Sequence, residues 1–367
     1  MGSRSRLVGA AFAVALATSV AVPAAGARPA ATPRTLLKTK TPIRAFAQDS
    51  GRIAWVDRNW RVEARRLRPK AKTLLVGSAR PIVDSEGVPP RLVVAGARVA
   101  WTRTGGGNEF ETSVWVRQAG GKAAARIVFD TSADRDERTG SYFGALAAGS
   151  STLAFSTVDY ECVDPADCSQ LVAQPSGVGG VFRIVGTSHS AQVPDAPGSL
   201  ELAVSAGRIA LLSAPERILP AQIDDVASPH LAQPGTTVEI RNATTGALVT
   251  QFTPPGTVQA LALAGPVAAV VDELPDGSRN IERYDANTGA LLGTTVGVAA
   301  GDTLSANGHT FVFCVGGGKI ESMDAATGAQ QVLAISQNPI GLSLSGTRVA
   351  WAVNAHGRGR VLALTLH

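Results

Sequence analysis

The hexapeptide GTRVAW at Gly346–Trp351 closely repeats two earlier stretches, GRIAW at Gly51–Trp55 and GARVAW at Gly96–Trp101. Further copies, each a glycine followed by an apolar run, begin at Gly149, Gly207, Gly265 and Gly308. A small residue recurs in the seven copies, at Ala54, Ala100, Ala154, Ala210, Ala268, Val312 and Ala350. Neighbouring members of this series are 46, 54, 56, 58, 44 and 38 residues apart, a period typical of folds built from repeated units.

Every copy has the same surroundings, which predict four short antiparallel strands per repeat. A strand of small residues precedes the glycine, the copy itself is rich in β-branched and aromatic residues, and two further strands follow. The turns between those last strands read NATTG at Asn242, DANTG at Asp285 and DAATG at Asp324, a pattern typical of tight hairpins. The sequence therefore predicts an all-β, seven-bladed β-propeller of four-stranded antiparallel blades, with six or eight blades as alternatives.

The packing role of each copy follows from its place as the second strand of a blade. The small residue should let neighbouring sheets approach, and the large residue after it should fill the widening space between them. The N-terminal segment RTLLKTKTP, Arg34–Pro42, is similar to the predicted fourth strand KTLLVGSARP, Lys72–Pro81. We expect it to complete the last blade and so to close the ring.

The first residues have the features of a secretory signal peptide. Arg4 and Arg6 precede an apolar run from Leu7, and the small residues of Ala25–Ala27 fit a cleavage site. We predict a signal peptide at residues 1–27 and a single propeller domain at 28–367. The protein is then exported, being secreted or held in the periplasm or cell envelope, with no stable membrane span after cleavage. An uncleaved membrane anchor is the alternative.

Three cysteines are compatible with an oxidising compartment. Cys162 and Cys168 flank an Asp-Pro turn, and we predict a disulfide between them. Cys314 lies in the apolar run TFVFC and is predicted to be a buried free thiol.

The repeats also resemble known bacterial propeller families. The hairpins with the pattern D-A-x-T-G-A are similar to those of quinoprotein-like propellers, and SGTRVAW at Ser345–Trp351 is similar to strands of TolB-like and WD40-like propellers. The resemblance implies the fold and export. The repeat DANTGALLGT lacks the tryptophan that ends each repeat of quinoprotein dehydrogenases, so we predict no quinone and no other cofactor.

The connections between second and third strands differ sharply in length, and the long ones favour one functional rim. They are TGGGNEFETS in copy two, VDYECVDPADCSQ in copy three and APERILPAQIDDVASPHLAQPG in copy four. The candidate binding residues in them are Glu109, Phe110, Tyr160, Asp164, Arg217, Asp224, Asp225 and His230. Ordinary solvated loop residues are the alternative interpretation of each.

Positive charge is concentrated near the start of the predicted domain. Residues 28–100 contain 16 Lys or Arg and 5 Asp or Glu, whereas residues 101–367 contain 16 and 24. The centre of this region is a candidate basic patch, formed by Arg58, Arg61, Arg65, Arg66 and Arg68. It suits an anionic polymer, such as a polyanion of the cell envelope. The alternative is that these charges protect exposed outer strands from edge-to-edge pairing.

No familiar catalytic motif accompanies the repeats. The five histidines form neither H-x-x-x-H nor H-E-x-x-H, and there is no nucleophile elbow, so we predict no catalytic residue and no metal ligand. We expect a monomeric binding or scaffold module for a protein or glycan partner, and no nucleic-acid partner. The alternative is a hydrolase or lyase that acts on a polysaccharide or peptide at the mouth of the central channel.

Overall fold

The computed structural model describes residues 32–81, 89–105, 109–134, 139–149, 151–164, 167–173, 179–213, 236–295 and 303–366. Within these ranges the chain forms 29 β-strands and one short 3₁₀ turn at Gly316–Gly318. The strands form seven antiparallel sheets, and the innermost strand of each sheet packs against those of the sheets on either side. The last of these contacts joins the seventh sheet to the first, so the ring is closed. The chain is a seven-bladed β-propeller, as the repeats predict.

The strands of the first three blades are as follows. Blade 1 contains β2 (Ile43–Asp49), β3 (Arg52–Asp57), β4 (Arg61–Arg66) and β5 (Leu74–Ser78). Blade 2 contains β6 (Leu92–Ala95), β7 (Arg98–Gly105), β8 (Glu109–Gln118) and β9 (Arg126–Asp134). Blade 3 contains β10 (Thr139–Gly149), β11 (Thr152–Asp164), β12 (Asp167–Ala173), β13 (Val181–Val185) and β14 (His189–Gln192). The additional strand β12 pairs with the far end of β11.

The other four blades each have four strands. Blade 4 contains β15 (Leu202–Ser205), β16 (Arg208–Leu212), β17 (Val238–Asn242) and β18 (Leu248–Phe252). Blade 5 contains β19 (Thr257–Ala264), β20 (Val267–Glu273), β21 (Arg279–Asp285) and β22 (Leu291–Thr295). Blade 6 contains β23 (Leu304–Asn307), β24 (Thr310–Val315), β25 (Lys319–Asp324) and β26 (Gln330–Ile335). Blade 7 contains β27 (Ile340–Ser345), β28 (Arg348–Ala355), β29 (Arg358–Thr365) and the N-terminal strand β1 (Arg34–Lys38).

The N-terminal strand completes blade 7 as predicted. β1 pairs antiparallel with β29, with Arg34 opposite Ala363 and Lys38 opposite Arg360. Leu37 is buried in the cluster that joins blades 7 and 1. Chain segments from opposite ends of the domain therefore form one complete four-stranded sheet.

Two faces of the ring can be distinguished by the connections that they carry. The hairpin face carries the turns between first and second strands and between third and fourth strands, which in blade 1 are residues 50–51 and 67–73. The loop face carries the connections between second and third strands, such as residues 58–60, together with the links between blades. A residue at one end of a strand thus lies on the opposite face from a residue at its other end.

The second strands pack as the repeat predicts, with a large side chain of one blade against a small residue of the preceding blade. Trp55 packs with Ala350 between blades 7 and 1, and Trp101 packs with Ala54 between blades 1 and 2. The indole Nε1 of Trp101 donates to the Ser78 carbonyl oxygen at 2.9 Å. A Cβ on Gly77 would overlap the Trp101 ring, so blade 1 needs a glycine there.

Blade 5 differs from the sequence prediction by one residue. Ala269, and not Ala268, faces blade 6 and packs with Phe311 and Phe313. Ala268 faces blade 4 instead, in the place that a large residue takes elsewhere. The missing volume on that side is filled by Tyr284, whose ring stacks on Phe252 with centroids 3.9 Å apart.

Arginines near the second strands also join neighbouring blades. Arg208 donates to the Ala286 carbonyl oxygen (3.2 Å) and to Asn287 Oδ1 (2.7 Å), at the third-to-fourth-strand hairpin of blade 5. Arg283 in turn donates to the carbonyl oxygens of Ala325 and Ala326, in the corresponding hairpin of blade 6. Arg208, the arginine of the fourth repeat, and Arg283, on the third strand of blade 5, therefore both join neighbouring blades.

We predict that ring closure depends on the buried side of β1. Leu37→Ala should lower the free energy of unfolding by about 2 kcal/mol or more, because it removes a buried side chain from the seam between blades 7 and 1. Thr35→Ala is the matched control, since Thr35 is exposed on the same strand, and should cost less than about 0.5 kcal/mol. Urea unfolding followed by far-UV circular dichroism measures both. Equal effects of the two substitutions would contradict closure by β1.

Candidate functional site

Four of the eight predicted rim residues lie on strands of blades 2 and 3, towards the loop face. Glu109 and Phe110 are the first residues of β8 in blade 2, and Tyr160 and Asp164 lie towards the end of β11 in blade 3. The other four, Arg217, Asp224, Asp225 and His230, lie outside the described residues, in the connection between β16 and β17 of blade 4. Whether any of these eight residues binds a ligand stays a prediction.

Part of the rim is strand rather than loop, which corrects the sequence interpretation. Glu109 pairs with Asp134 of β9, and Tyr160 is opposite both Gly140 of β10 and Ala173 of β12. These rim segments form strands because they are rich in β-branched and aromatic residues, as in STVDYECV and EFETSVWV. The candidate rim of blades 2 and 3 is therefore built on the long strands β8 to β11.

The two cysteines of the predicted disulfide lie on paired strands. Cys162 is on β11, opposite Leu171 of β12, and Cys168 is the second residue of β12. The disulfide itself stays a prediction. Cys314 is a buried free thiol, as predicted, and burial raises its pKa to about 11.

A buried polar cluster at the loop-face end of blade 5 was missed by the sequence analysis. It contains Asp272 at the end of β20 and Glu282 and Tyr284 on β21, on the side of the sheet that faces blade 4. Tyr284 donates a hydrogen bond from its hydroxyl to Glu282 Oε2. Both Asp272 oxygens accept from the Gly256 N–H, at 3.1 and 3.0 Å, which fixes the link from blade 4. The signal in the sequence was an acidic residue directly after the buried run VAAVV.

The cluster places two carboxyl groups in an apolar interior. Asp272 is fully buried and Glu282 is 5% exposed. Burial, and then the nearby charge of Glu282, raise the pKa of Asp272 to about 6, although the Gly256 N–H opposes the shift. Because neither carboxyl group is exposed, the cluster acts on the stability of the blade 4–blade 5 seam rather than on a substrate at the surface.

The candidate basic patch is divided between the two faces. Arg58 and Arg61 are exposed at the loop-face end of β4, where Arg61 Nη2 lies 3.9 Å from Glu63 Oε1. Arg66, the last residue of β4, and Arg68, which follows the strand, are exposed on the hairpin face, and Arg65 is half-buried. Arg66 lies five positions after Arg61 along β4, about 17 Å away at the usual rise per residue. The sequence run therefore does not form one surface patch.

Among the residues that the structure describes, no three His, Cys, Asp or Glu side chains are grouped as metal ligands. The described ranges also contain no helix long and apolar enough to cross a membrane.

Comparisons with known proteins support the fold. The chain is similar to the puromycin hydrolase S511A mutant complexed with PGG, at TM-score 0.53 and 16% identity, covering 89% of this chain and 52% of that one. It is also similar to BamB from Moraxella catarrhalis, with TM-score 0.43, 12% identity and coverage of 89% and 86%. The WD40 β-propeller domain of Doa1 has TM-score 0.46, 12% identity and coverage of 90% and 95%. No protein-family profile and no curated protein sequence matches the chain. Identities this low show the fold alone.

We predict that Asp272 makes the protein less stable as the pH rises from about 4 to about 6. Its folded pKa lies above the ordinary value, so in this window the folded state binds more protons than the unfolded state. A shift of this size corresponds to at most about 3 kcal/mol. The loss of unfolding free energy between pH 4.5 and pH 7 should be smaller in Asp272→Asn, as measured by urea titration at both values.

Asp285→Asn is the control for this measurement. The backbone N–H of Asn287, and that of Thr288, hold the pKa of Asp285 below its ordinary value, so its contribution is present at both pH values. The wild-type pH difference should therefore persist in Asp285→Asn. An unchanged pH difference in Asp272→Asn would show that Asp272 does not titrate in this window.

Proposed function

We propose that this chain is an exported β-propeller that binds a protein or glycan partner, in the cell envelope or outside the cell, through its loop face. The observation that carries the proposal is the unequal length of the connections on the two faces. On the hairpin face, two residues separate the first and second strands of every blade. On the loop face, residues 213–237 separate β16 from β17, and the strands of blades 2 and 3 are extended.

This asymmetry is a feature of binding surfaces that are carried by a rigid scaffold. Connections required only to join strands stay short, and those of the hairpin face have at most seven residues, against the 25 residues between β16 and β17 on the loop face. The long strands belong to blades 2 and 3, and the long connection joins β16 to β17 in the next blade. These features therefore start from three successive blades, in one sector of the loop face.

We predict that the partner contacts the loop face selectively. A photo-crosslinking amino acid at Asp276, exposed in the β20–β21 turn, tests the loop face, and one at Asn287, exposed in the β21–β22 hairpin, tests the other face. Both sites flank β21, so they compare the two faces within one blade. Irradiation of intact cells should give a reproducible adduct from Asp276, detected by mass spectrometry or by glycan staining, and little from Asn287.

Replacement of residues 217–230 by a short Gly-Ser linker supplies the second arm of this experiment. The adduct at Asp276 should fall at least fivefold if the blade 4 connection holds the partner. Equal adducts from both faces would contradict binding through the loop face, and an adduct at Asp276 that the replacement leaves unaffected would exclude the blade 4 connection as the part that holds the partner. Turnover of a substrate by the purified domain, lost on substitution of Asp224 or His230, would favour the enzyme instead.

We also predict that the exported protein begins at Arg28 and contains the Cys162–Cys168 disulfide. The intact mass should match residues 28–367 with two hydrogens fewer than the reduced chain. After unfolding without reductant, alkylation should add one label, at Cys314. An intact N-terminus in the exported fraction would support the membrane anchor, and three labels would exclude the disulfide.

A further inference from the structure

A basic groove lies on the hairpin face, between blade 1 and blade 2. Its volume is about 500 Å³. One wall is the β4–β5 connection of blade 1, and the other is the β8–β9 turn of blade 2, at Ala119 and Gly120. All its charged lining residues are cationic: Arg52, Arg66, Arg68, Lys70 and Lys72.

Two of these cations are held against each other by the sheet. Arg52 on β3 is directly opposite Arg66 on β4. Like charges in this position destabilise a sheet unless something neutralises them. Arg52 is also 4% exposed, and burial together with the charge of Arg66 lowers its pKa.

The protein supplies little compensation for this pair within the described residues. There, Arg52 donates one hydrogen bond, from Nε to the Gly96 carbonyl oxygen at 3.3 Å, and forms no ion pair. The nearest acidic side chain along the sheet, Asp49, is opposite Arg52 on β2. Its Oδ2 accepts from the Gly96 N–H at 2.7 Å, and its Oδ1 accepts from the Ser345 hydroxyl at 3.3 Å. The carboxylate is thus engaged in joining blade 1 to its neighbours.

The loop that carries the other cations is anchored to the blade. The Leu67 N–H donates to the Gly51 carbonyl oxygen at 2.7 Å, and the Ala71 N–H donates to the Arg68 carbonyl oxygen at 3.3 Å. Leu67 packs against the cluster between blades 7 and 1. The cationic side chains therefore start from fixed backbone positions, which reduces the entropy lost on binding.

We propose that this groove is a second binding site, for a linear anion with closely spaced phosphate or sulfate groups. Guanidinium groups bind such oxyanions through paired N–H donors, and the lysines add point charges. Five cations require several negative charges for neutralisation, which one monovalent anion cannot supply. The groove holds a few such groups and is too small for a folded acidic protein. The site is independent of the proposed partner surface, which lies on the opposite face.

Isothermal titration calorimetry of the full chain with sodium tripolyphosphate tests the proposal. The test variant is Arg66→Gln/Arg68→Gln, and the matched control is Arg58→Gln/Arg61→Gln. Both remove two exposed arginines from the same region of blade 1, but from opposite faces. Affinity should fall at least tenfold in the test variant and change less than twofold in the control. Thermal unfolding confirms that both variants are folded.

A glycerol phosphate oligomer, a heparin hexasaccharide and hexaglutamate complete the design. Binding of any phosphate or sulfate probe with the face-specific loss supports the proposal, and the ratio of their affinities identifies free or polymer-bound anions as the source. The proposal is overturned if the wild-type chain binds none of these probes. Equal losses in both variants, or stronger binding of hexaglutamate than of every phosphate and sulfate probe, would overturn it as well. Since no probe addresses the loop face, these results leave the proposed partner binding to its own experiment.

Discussion

Close approach of neighbouring sheets along their second strands is the constraint on which the rest of this ring depends. Blades radiate from a common centre, so the gap between them is narrow near the inner strands and widens outwards. A small residue on one blade and a large one on the next satisfy both requirements, and complete burial of an aromatic side chain contributes about 2–3 kcal/mol per interface. The fully buried large side chains include Trp55, Trp101, Phe155, Phe313 and Trp351. All five lie on second strands.

This constraint explains why the fold could be predicted from the sequence. The same packing problem recurs in every blade, so it leaves similar residues at a regular spacing, and seven copies specify seven second strands. Blade 5 shows where prediction from the repeat fails. Its run VAAVV contains two adjacent alanines and no aromatic residue, so composition alone cannot decide which alanine faces which neighbour. The register is decided by the rings of Tyr284 and Phe252, which come from other strands and occupy the space beside Ala268.

The candidate sites were less predictable, because a surface depends on where strands end. The basic run of residues 58–72 is continuous in the sequence, yet β4 passes from one face to the other within it. Its charges therefore fall into two groups at opposite ends of β4. From the sequence, the rim segments of blades 2 and 3 are predicted to be connections between strands. Pairing with a neighbouring strand decides otherwise, and that pairing is a long-range property. The Asp272–Glu282 contact likewise joins two strands and leaves no short motif.

Protection of outer strands does not account for the basic groove. Charges that prevent edge-to-edge pairing belong on the outermost strand of a blade, where unpaired N–H and C=O groups are presented. In blade 1 that strand is β5, LLVGS, which carries no charge and exposes Leu74 and Leu75. The outer strands of blades 4, 5 and 6 also have no charged residue. Arg52 and Arg66 instead lie on the two middle strands, β3 and β4, where they oppose each other and Arg52 is buried. Such an arrangement costs folding free energy in isolation, and a bound anion is the simplest chemistry that offsets it.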